Sequence, residues 1–255
     1  MNFQARKELI LQVIEQRGSA DVAELAKLLT TSEMTVRRDL TQLAASGLLY
    51  RTRGGATKVS AATDAFRFAN KAAVNAERKD FICQLAATEI QENDVIFMDC
   101  GSTVFRLCPF IRHRRITVIT NSLPVVAELM GSDVAVNLIG GEVDHERQAV
   151  HGRVADEHIA RYRADRAFIG ADGISLHNGL SANSETEAAT AVAMARQSAR
   201  TYLLCDSSKL ERDKYLSFAP LTLFDVLITD REAPPDIIDT YRQAGVVVYN
   251  GLVNR

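Results

Sequence analysis

The chain has 255 residues, of which 47% are hydrophobic, and its 30 Lys or Arg against 32 Asp or Glu give a formal net charge of −2. This length and apolar content favour one large domain or two of ordinary size and exclude a mainly disordered chain. The total hides an asymmetry, because residues 1–58 carry nine basic and six acidic side chains while the remainder is acidic, which is compatible with a DNA-binding module on a larger body.

Three short helices are predicted at the start of the chain. The first covers residues 4–17, where apolar side chains recur on one face. The segment Asp21-Val-Ala-Glu24 has the pattern of a capping box, which would begin the second helix. Ser32 is the predicted cap of the third helix, SEMTVRRDLTQLAAS, which Gly47 would end. The buried stripe of this third helix is predicted to be Val36, Leu40 and Leu43.

A β-hairpin is predicted next, since LLYRTRGGATKV contains two short extended runs around Gly54-Gly55. Three helices followed by such a wing indicate a winged helix-turn-helix domain over residues 1–58. Residues 59–76 lose periodicity and are predicted to be a linker, part of which could be helical.

Residues 77–255 alternate helical and apolar extended segments, which predicts a larger α/β domain with a mostly parallel sheet covered on both faces. The predicted helices cover residues 77–91, 102–111, 123–130, 153–162, 185–199 and 235–243. The predicted strands cover residues 95–99, 116–121, 134–139, 166–170, 201–205, 225–229 and 246–249.

The four cysteines form no CxxC pair, and the five histidines lack the spacing of metal ligands. No signal peptide and no apolar run of membrane-spanning length is visible. We therefore expect a reduced, cytoplasmic protein with no membrane segment, no cofactor and no structural metal.

The outward face of the third helix carries candidate DNA-reading side chains. A helix that enters the major groove by its N-terminal half presents that half to bases and phosphates, and an arginine can bind guanine O6 and N7 together. Basic residues on the wing would contact phosphates or the minor groove. The candidates are Ser32, Thr35, Arg37, Arg38, Arg51, Arg53 and Lys58. An isolated Arg-Arg pair would be a solvated helix face, but the cap, the wing and the further basic residues together favour DNA; Asp39 is expected to pair with an arginine inside the head.

The stretch SEMTVRRDLTQLAASGLLYRTRGGA resembles the head of the DeoR family of sugar-metabolism repressors, whose signature runs S-x-x-T-[IV]-R-R-D-L, then L-x-x-x-G and R-x-[HR]-G-G-A. The matching positions are Ser32, Thr35, Val36, Arg37, Arg38, Asp39, Leu40, Leu43, Gly47, Arg51, Gly54, Gly55 and Ala56. Arg53 stands where relatives commonly carry His, which keeps the wing cationic at any pH.

Blocks in the rest of the chain resemble the effector domain of the same family. They are Asp99-x-Gly-Ser-Thr103, Thr120-Asn-Ser122, Gly140-Gly141, Gly152, Phe168-Ile-Gly-Ala171, Gly173-Ile174, Gly179-Leu180, Glu187-Ala188, Asp206-Ser-Ser-Lys209 and Ile228-Thr-Asp230. The resemblance implies a fold similar to ribose-5-phosphate isomerase and the coenzyme A transferases, a phosphorylated sugar as effector, and a homodimer or homotetramer.

The turn DCGST, between a predicted strand and a predicted helix, could hold a phosphate. Gly101 lets the backbone approach an anion, and Ser102 and Thr103 offer hydroxyls and amides at a helix N-terminus. Neutral donors, room for a ligand, a cation for phosphate and acids for sugar hydroxyls would come from later segments. These candidates are Asp99, Asn121, Ser122, Gly140, Gly141, Asp172, Glu187, Asp206 and Lys209.

Structural alternatives stay open for several of these residues. Gly101 and Gly140 could serve tight turns only, Ser102 and Asp206 could be caps, and Glu187 could be a surface acid. Cys100 is expected to pack beside the turn, with ligand contact as the alternative. The segment GGEVDHERQAVHG, which carries His145, Arg147 and His151, could be a solvated loop or could cover the pocket.

We expect a DNA-binding transcriptional repressor of carbohydrate-metabolism genes, with no catalytic residue, that a phosphorylated sugar or sugar derivative releases from its operator. One alternative is a sugar-phosphate isomerase-like enzyme, because Gly170-Ala-Asp-Gly173 is similar to the acidic loop of those isomerases. Another is a regulator whose pocket binds nothing. The chain contains no G-x-S-x-G, P-loop, G-x-G-x-x-G or HExxH motif.

Overall fold

The computed structural model describes residues 3–45, 48–52, 54–57, 68 and 71–251. The chain divides into two compact units, Met1–Arg67 and Phe68–Arg255. The predicted limits of the head, the linker and the effector domain stay predictions, because most of the predicted linker lies outside the described residues. None of the described helices is long and apolar enough to cross a lipid bilayer.

The N-terminal unit contains the predicted three helices and hairpin. Its elements are α1 (Phe3–Arg17), β1 (Ser19–Asp21), α2 (Val22–Leu28), α3 (Glu33–Ala45), β2 (Tyr50–Arg51) and β3 (Gly55–Thr57). The predicted stripe of α3 is confirmed, since Val36, Leu40 and Leu43 are buried in one core with Ile10 of α1 and Leu25 of α2. The predicted end of α3 at Gly47 lies outside the described residues.

Strand β1 was not predicted, and the capping box was wrong. β1 pairs with β3 and β3 with β2, both antiparallel, so the wing is a three-stranded sheet. Asp21 pairs with Gly55 in this ladder and makes no side-chain cap bond to α2. Glu24 bonds to Arg17 instead of reaching back. The capping box does not form because the backbone of Asp21 is paired in β1 and the carboxylate of Glu24 is bonded to the guanidinium of Arg17.

The close packing of β3 on β1 gives a matched pair of test substitutions. A Cβ on Gly55 would lie 2.1 Å from the carbonyl oxygen of Ala20, whereas a Cβ on Gly54 would meet only Asp21 Oδ1, at 3.6 Å. Gly55→Ala is therefore expected to destabilise the N-terminal unit by about 1–3 kcal/mol, while Gly54→Ala changes stability by less than about 0.5 kcal/mol. Thermal unfolding followed by circular dichroism measures both; equal melting of the two variants would contradict this packing.

The C-terminal unit is built on a seven-stranded sheet of order β15-β14-β12-β9-β4-β5-β6. Each neighbouring pair is parallel, which confirms the predicted α/β class. The strands of this sheet are β4 (Val95–Met98), β5 (Thr117–Thr120), β6 (Ala135–Leu138), β9 (Ala164–Ile169), β12 (Ser198–Leu204), β14 (Val226–Ile228) and β15 (Val247–Tyr249).

Helices cover both faces of this sheet. The helices are α4 (Ala76–Thr88), α5 (Ser102–Phe105), α6 (Cys108–Ile111), α7 (Leu123–Leu129), α8 (Arg153–Ile159), α9 (Glu185–Arg196) and α10 (Pro235–Gln243). Along β4, Ile96 and Met98 join the apolar cluster formed with α4 to α7, and Phe97 joins the cluster formed with α8 to α10. This division follows from the alternation of side chains along a strand.

Smaller elements complete the unit. They are the hairpin β7 (Glu142–Asp144) and β8 (Ala149–His151), the antiparallel sheet of β10 (Gly173–Ser175), β11 (Gly179–Ala182) and β13 (Leu216–Ala219), and 3₁₀ turns at Ser207–Lys209 and Leu221–Leu223. None of these strands was predicted, since strands of three or four residues leave too little alternation to detect.

Several predicted bounds were also wrong. The predicted helix 102–111 is two short helices, α5 and α6, because Pro109 has no amide proton with which to continue the ladder. The predicted helices 77–91, 153–162 and 185–199 each end three residues earlier. In the last case the residues from Ser198 onward pair with β9 and so belong to β12.

The parallel sheet brings the candidate effector residues to one edge. Because all seven strands run the same way, the segments that follow β4, β5, β6, β9 and β12 leave the sheet at its carboxyl edge. The segments are 99–103, 121–122, 139–141, 170–172 and 205–209.

Candidate functional site

The N-terminus of α3 is organised by Ser32. Its Oγ accepts the backbone amide of Thr35 at 3.2 Å and lies 3.0 Å from Thr35 Oγ1, so the predicted cap is confirmed. Arg37 pairs with Glu33 at 3.2 Å, one turn earlier on the same helix. Arg38 is exposed and makes no hydrogen bond or ion pair with any residue that the structure describes. Of the predicted helix residues, Arg38 is therefore the cation with its full donor set available.

Met34 was missed by the sequence analysis. It lies in the first turn of α3 and is 76% exposed. An apolar side chain at this place can contact a thymine methyl group in the major groove. Its signal in the sequence was an apolar residue off the buried stripe of an otherwise polar helix face.

The wing arginine that the structure describes is tied to α3. Arg51 donates from Nη1 to Thr41 Oγ1 at 2.9 Å, and Thr41 donates in turn to the carbonyl of Arg37 at 2.7 Å. Arg51 therefore holds the wing against the helix in addition to carrying charge. The other predicted wing contacts, Arg53 and Lys58, lie outside the described residues and stay predictions.

Asp39 is the predicted internal partner of an arginine, and the structure confirms it. Arg6 of α1 donates from Nε and Nη2 to the two oxygens of the Asp39 carboxylate, at 2.6 and 3.0 Å. This two-point contact raises the pKa of Arg6 and fixes the rotation of α3 relative to α1. Asp39 is buried, so it does not face a DNA groove.

In the C-terminal unit, Asp99 has a structural role, and its predicted contact with sugar hydroxyls stays a prediction. Its Oδ1 accepts the Gly101 amide at 2.7 Å and its Oδ2 accepts the Gly170 amide at 2.6 Å. Burial raises the pKa of Asp99, and these two bonds oppose the rise. Asp99 thus joins the ends of β4 and β9, and its bond to the Gly101 amide holds the turn that precedes Ser102 and Thr103.

Ser102 faces a buried lysine that the sequence analysis missed. Lys79 of α4 is 3% exposed, and its Nζ lies 3.4 Å from Ser102 Oγ and 2.6 Å from the carbonyl oxygen of Lys71. No carboxylate oxygen of the described residues lies within ion-pair distance of it. Burial and the charge of Lys209 lower the pKa of Lys79 to about 8. Thr103 Oγ1, next to Ser102, is buried without a partner among the described residues.

A pattern could have found Lys79. It shares the buried stripe of α4 with Ile82, Cys83 and Ala86, at the spacing of three, four and seven residues expected for one helix face. A lysine on such a stripe must either be paired or serve a ligand.

Asp172 lies close enough to both Lys209 and Glu187 for their charges to interact with its own. Lys209 donates to the carbonyl of Ala171 at 2.7 Å, and its charge acts on Lys79 and Asp172. Asp172 lies 3.4 Å from the ammonium of Lys71. Although burial opposes it, the charge of Lys71 and the bond from the Asn183 amide hold the pKa of Asp172 below its ordinary value.

Arg147 lies in the turn between β7 and β8, and its Nε is 2.7 Å from Glu187 Oε1. Burial raises the pKa of Glu187 and the Arg147 charge opposes this. The segment that was predicted to be either a solvated loop or a cover of the pocket is thus a hairpin whose arginine contacts a predicted effector residue. Asn121 donates to the carbonyl of Val150 in this hairpin at 3.1 Å, and its side chain lies against the Cys100 thiol.

The remaining predicted residues have structural roles. Ser122 caps α7 by accepting the Val125 amide. Gly140 and Gly141 are exposed beyond the edge strand β6, and a Cβ on Gly141 would lie 2.6 Å from the carbonyl oxygen of His151. Asp206 accepts the amide of Ser208 at 3.2 Å and so caps its 3₁₀ turn. The cap alternative is confirmed for Asp206 and is wrong for Ser102, which lies inside the first turn of α5 after Gly101. The predicted contacts with an effector stay predictions.

Two family models match the chain. The DeoR-like helix-turn-helix domain matches residues 6–62, and the DeoR C terminal sensor domain matches residues 74–231. Both matches coincide with the resemblance that the motifs indicated.

Curated relatives match over nearly the full length. The chain is 31% identical to the HTH-type transcriptional regulator GlpR of Haloferax volcanii, with 97% of each chain covered. It is 34% identical to the lactose phosphotransferase system repressor of Staphylococcus epidermidis, with 90% of this chain and 93% of the relative covered. It is 33% identical to the L-fucose operon activator of Haemophilus influenzae, with 93% and 95% covered.

The solved structures are more distant. Ribose 5-phosphate isomerase A from Methanocaldococcus jannaschii has a TM-score of 0.39 and 20% identity, with 53% of this chain and 55% of the isomerase covered. Such a likeness says nothing about what this chain binds. The full-length relatives and both domain models agree with the exposed face of α3 and with the separate α/β unit, and the chain belongs to the DeoR family of helix-turn-helix transcriptional regulators.

Proposed function

We propose that this protein represses genes of carbohydrate metabolism and that a phosphorylated sugar, bound at the carboxyl edge of the parallel sheet, releases it from its operator. The observation that carries the proposal is the buried ammonium of Lys79, 3.4 Å from Ser102 Oγ and without a carboxylate partner among the described residues. A buried charge is costly unless it is paired, and an anionic ligand would supply the missing partner.

The rest of the site suits a sugar that carries this phosphate. Lys209 adds a second positive charge close enough to lower the pKa of Lys79. The buried hydroxyl of Thr103 has no hydrogen-bond partner among the described residues and could donate to the phosphate. Asp172 and Glu187 offer carboxylate oxygens to sugar hydroxyls, and they act on each other through space. Two relatives are named for lactose and L-fucose systems, which supports carbohydrate genes as the targets.

Sensing fits this geometry better than catalysis does. An isomerase needs a base that can reach the reacting carbon, but the nearby acids already have partners. Asp99 has both oxygens bonded to backbone amides, and Glu187 is paired with Arg147. Asp172, the acid of the isomerase-like loop, is bonded to Asn183 and paired with Lys71. The helix-turn-helix unit provides a DNA-binding activity that a bound ligand can control. Effector and operator then oppose each other's binding by the same factor, as linkage requires.

The heads act in pairs in this proposal. A homodimer or homotetramer would bind repeated or palindromic half-sites, and the effector would change the spacing of the recognition helices.

The test is a mobility-shift titration with an operator that the protein selects from random DNA duplexes. Phosphorylated sugars are expected to release the DNA, and the same sugars without phosphate are expected to leave it bound. Incubation with aldose phosphates checks the rival activity. Turnover of an aldose phosphate without any effect on DNA binding would favour the isomerase-like alternative, and failure of every sugar phosphate to release DNA would contradict the proposed effector class.

Substitutions at the proposed phosphate contacts should impair release by the effector without changing operator binding. Ser102→Ala and Lys209→Ala are each expected to leave operator affinity unchanged and to raise the effector concentration needed for release by about tenfold or more. Each removes a hydrogen bond to a charged group, which contributes about 1.5–3 kcal/mol. The exposed Lys214 provides the control Lys214→Ala. Release of the Lys209→Ala protein at the parent concentration would exclude its contact with the phosphate.

A further inference from the structure

Three side chains with metal-binding atoms meet beside the proposed anion site. Cys100 follows β4, His151 ends β8, and Glu187 lies in the first turn of α9. One ligand atom of each lies within 4.8 Å of the others. The three residues come from separate segments, so no spacing pattern in the sequence could reveal the cluster. The expectation that no histidine has ligand partners was based on spacing along the chain alone.

His151 presents an unused nitrogen to this cluster. The side chain is 4% exposed, and Nε2 is buried without a partner among the described residues. Its Nδ1 lies 3.1 Å from Thr190 Oγ1, and that hydroxyl donates its one proton to the carbonyl of Thr186 at 3.0 Å. The hydroxyl therefore accepts from Nδ1–H, which assigns the tautomer and leaves Nε2 as a bare lone pair.

The partners of these side chains are those that hold metal ligands in place. A ligating histidine typically donates its other N–H to an oxygen, as His151 does to Thr190, and a ligating carboxylate is hydrogen-bonded as well. Arg147 contacts Glu187 through Oε1 at 2.7 Å, which leaves Oε2 for an ion. Cys100 and Glu187 are half-buried, so an ion can reach the cluster from solvent.

We propose that Cys100, His151 and Glu187 bind one divalent transition-metal ion, with zinc as the best match to a thiolate, an imidazole and a carboxylate. Magnesium and calcium prefer oxygen ligands only, so this set of atoms disfavours them. Zinc bonds of about 2.0–2.3 Å place tetrahedral ligand atoms about 3.3–3.8 Å apart. Because the three ligand atoms already lie within 4.8 Å of one another, the side chains reach this spacing by closing at most about 1.5 Å.

Coordination replaces the proton of the Cys100 thiol, which passes to solvent. Three protein ligands leave a fourth position for water or for an oxygen of a bound molecule. The site stands on its own side chains and does not depend on a sugar phosphate being the effector.

The full-length protein, stripped of metal with a chelator, is titrated with Co²⁺ and then with Zn²⁺. Co²⁺ is expected to bind at one equivalent with a near-ultraviolet thiolate-to-metal band, and Zn²⁺ is expected to displace it. Cys100→Ser should abolish the band, and Glu187→Gln and His151→Gln should each weaken Zn²⁺ binding at least tenfold in competition with a coloured chelator.

Two substitutions outside the cluster provide the controls, Cys108→Ser for the thiol and His113→Gln for an exposed imidazole. Both should bind like the parent. Absence of the band in the parent, or its persistence in Cys100→Ser, would overturn the proposal. If the buried substitution His151→Gln prevents folding, the half-buried Glu187→Gln provides the test instead. Parent-like Zn²⁺ affinity in a folded Glu187→Gln protein would also overturn the proposal.

Discussion

Replacing Lys79 by methionine is expected to weaken the binding of a phosphorylated sugar, or of inorganic phosphate as a minimal probe, by about 10- to 150-fold. Methionine keeps the length of the side chain and removes the ammonium that faces Ser102. A hydrogen bond to a charged group contributes about 1.5–3 kcal/mol, which corresponds to this range of affinity. Isothermal titration calorimetry at constant ionic strength measures the change.

The same substitution should not destabilise the ligand-free protein. Lys79 is buried beside Lys209, and its lowered pKa shows that its charged form is disfavoured in the fold. Removing a buried charge of this kind is neutral or stabilising. The unfolding temperature of Lys79→Met should therefore equal or exceed that of the parent and of the exposed control Lys214→Met. A lower unfolding temperature would mean that the lysine supports the fold, and parent-like phosphate affinity would exclude it from the anion site.

A pH titration gives the Lys79 prediction a second readout. Burial and Lys209 lower the pKa of Lys79 from 10.5 to about 8, and a bound phosphate raises it again. Affinity for a phosphorylated sugar should therefore be constant from pH 7 to about 8 and fall by up to tenfold per unit above that, because a phosphate monoester, with its second pKa of about 6, is already a dianion over this range. Lys79→Met should lose this dependence.

The stability of the ligand-free protein is expected to rise with pH over the range in which affinity for the phosphorylated sugar falls. Between the folded pKa of about 8 and the ordinary value of 10.5, the unfolded chain binds more protons at Lys79 than the folded chain does. Stability should therefore rise with pH across this window through this residue. Comparison of the parent with Lys79→Met in denaturant titrations isolates the effect.

Arg38→Ala is expected to weaken operator binding by about 1–3 kcal/mol, or about 5- to 150-fold. Arg38 is exposed on α3, and none of its donors is used by the described residues. Arg37, by contrast, is paired with Glu33. Fluorescence anisotropy with the selected operator, at a fixed salt concentration, measures the loss.

Two further variants define what Arg38 contacts. Arg38→Lys keeps the charge but not the two-point geometry that reads guanine, so base recognition predicts that lysine fails to rescue binding. A phosphate contact predicts rescue by lysine and a salt slope lower by about one for Arg38→Ala. Arg153→Ala, an 88% exposed site on α8, is the control. Parent-like affinity of Arg38→Ala would remove Arg38 from the readout.

Local patterns predicted most of the regular structure. The stripe of Val36, Leu40 and Leu43 and the alternation of apolar strands with helices depend on neighbours within one or two turns, which the sequence displays directly. The failures came where a distant segment changed a local preference. Asp21 pairs with Gly55 in a strand, and the chain after β6 and after β9 forms the short antiparallel pairs β7–β8 and β10–β11, which have too few residues to show a pattern.

The sequence by itself determined the family, the helix-turn-helix head with its cap at Ser32, and the parallel α/β class of the larger unit. Only the tertiary structure decided which polar side chains meet. Asp99 bonds to the amide of Gly170, 71 residues away, and so joins two strand ends that the sequence does not show to be neighbours. Lys79 faces Ser102 because α4 packs against the segment that follows β4. Periodicity records which face of an element is buried, whereas a site at the edge of a parallel sheet is assembled from loops whose neighbours depend on strand order.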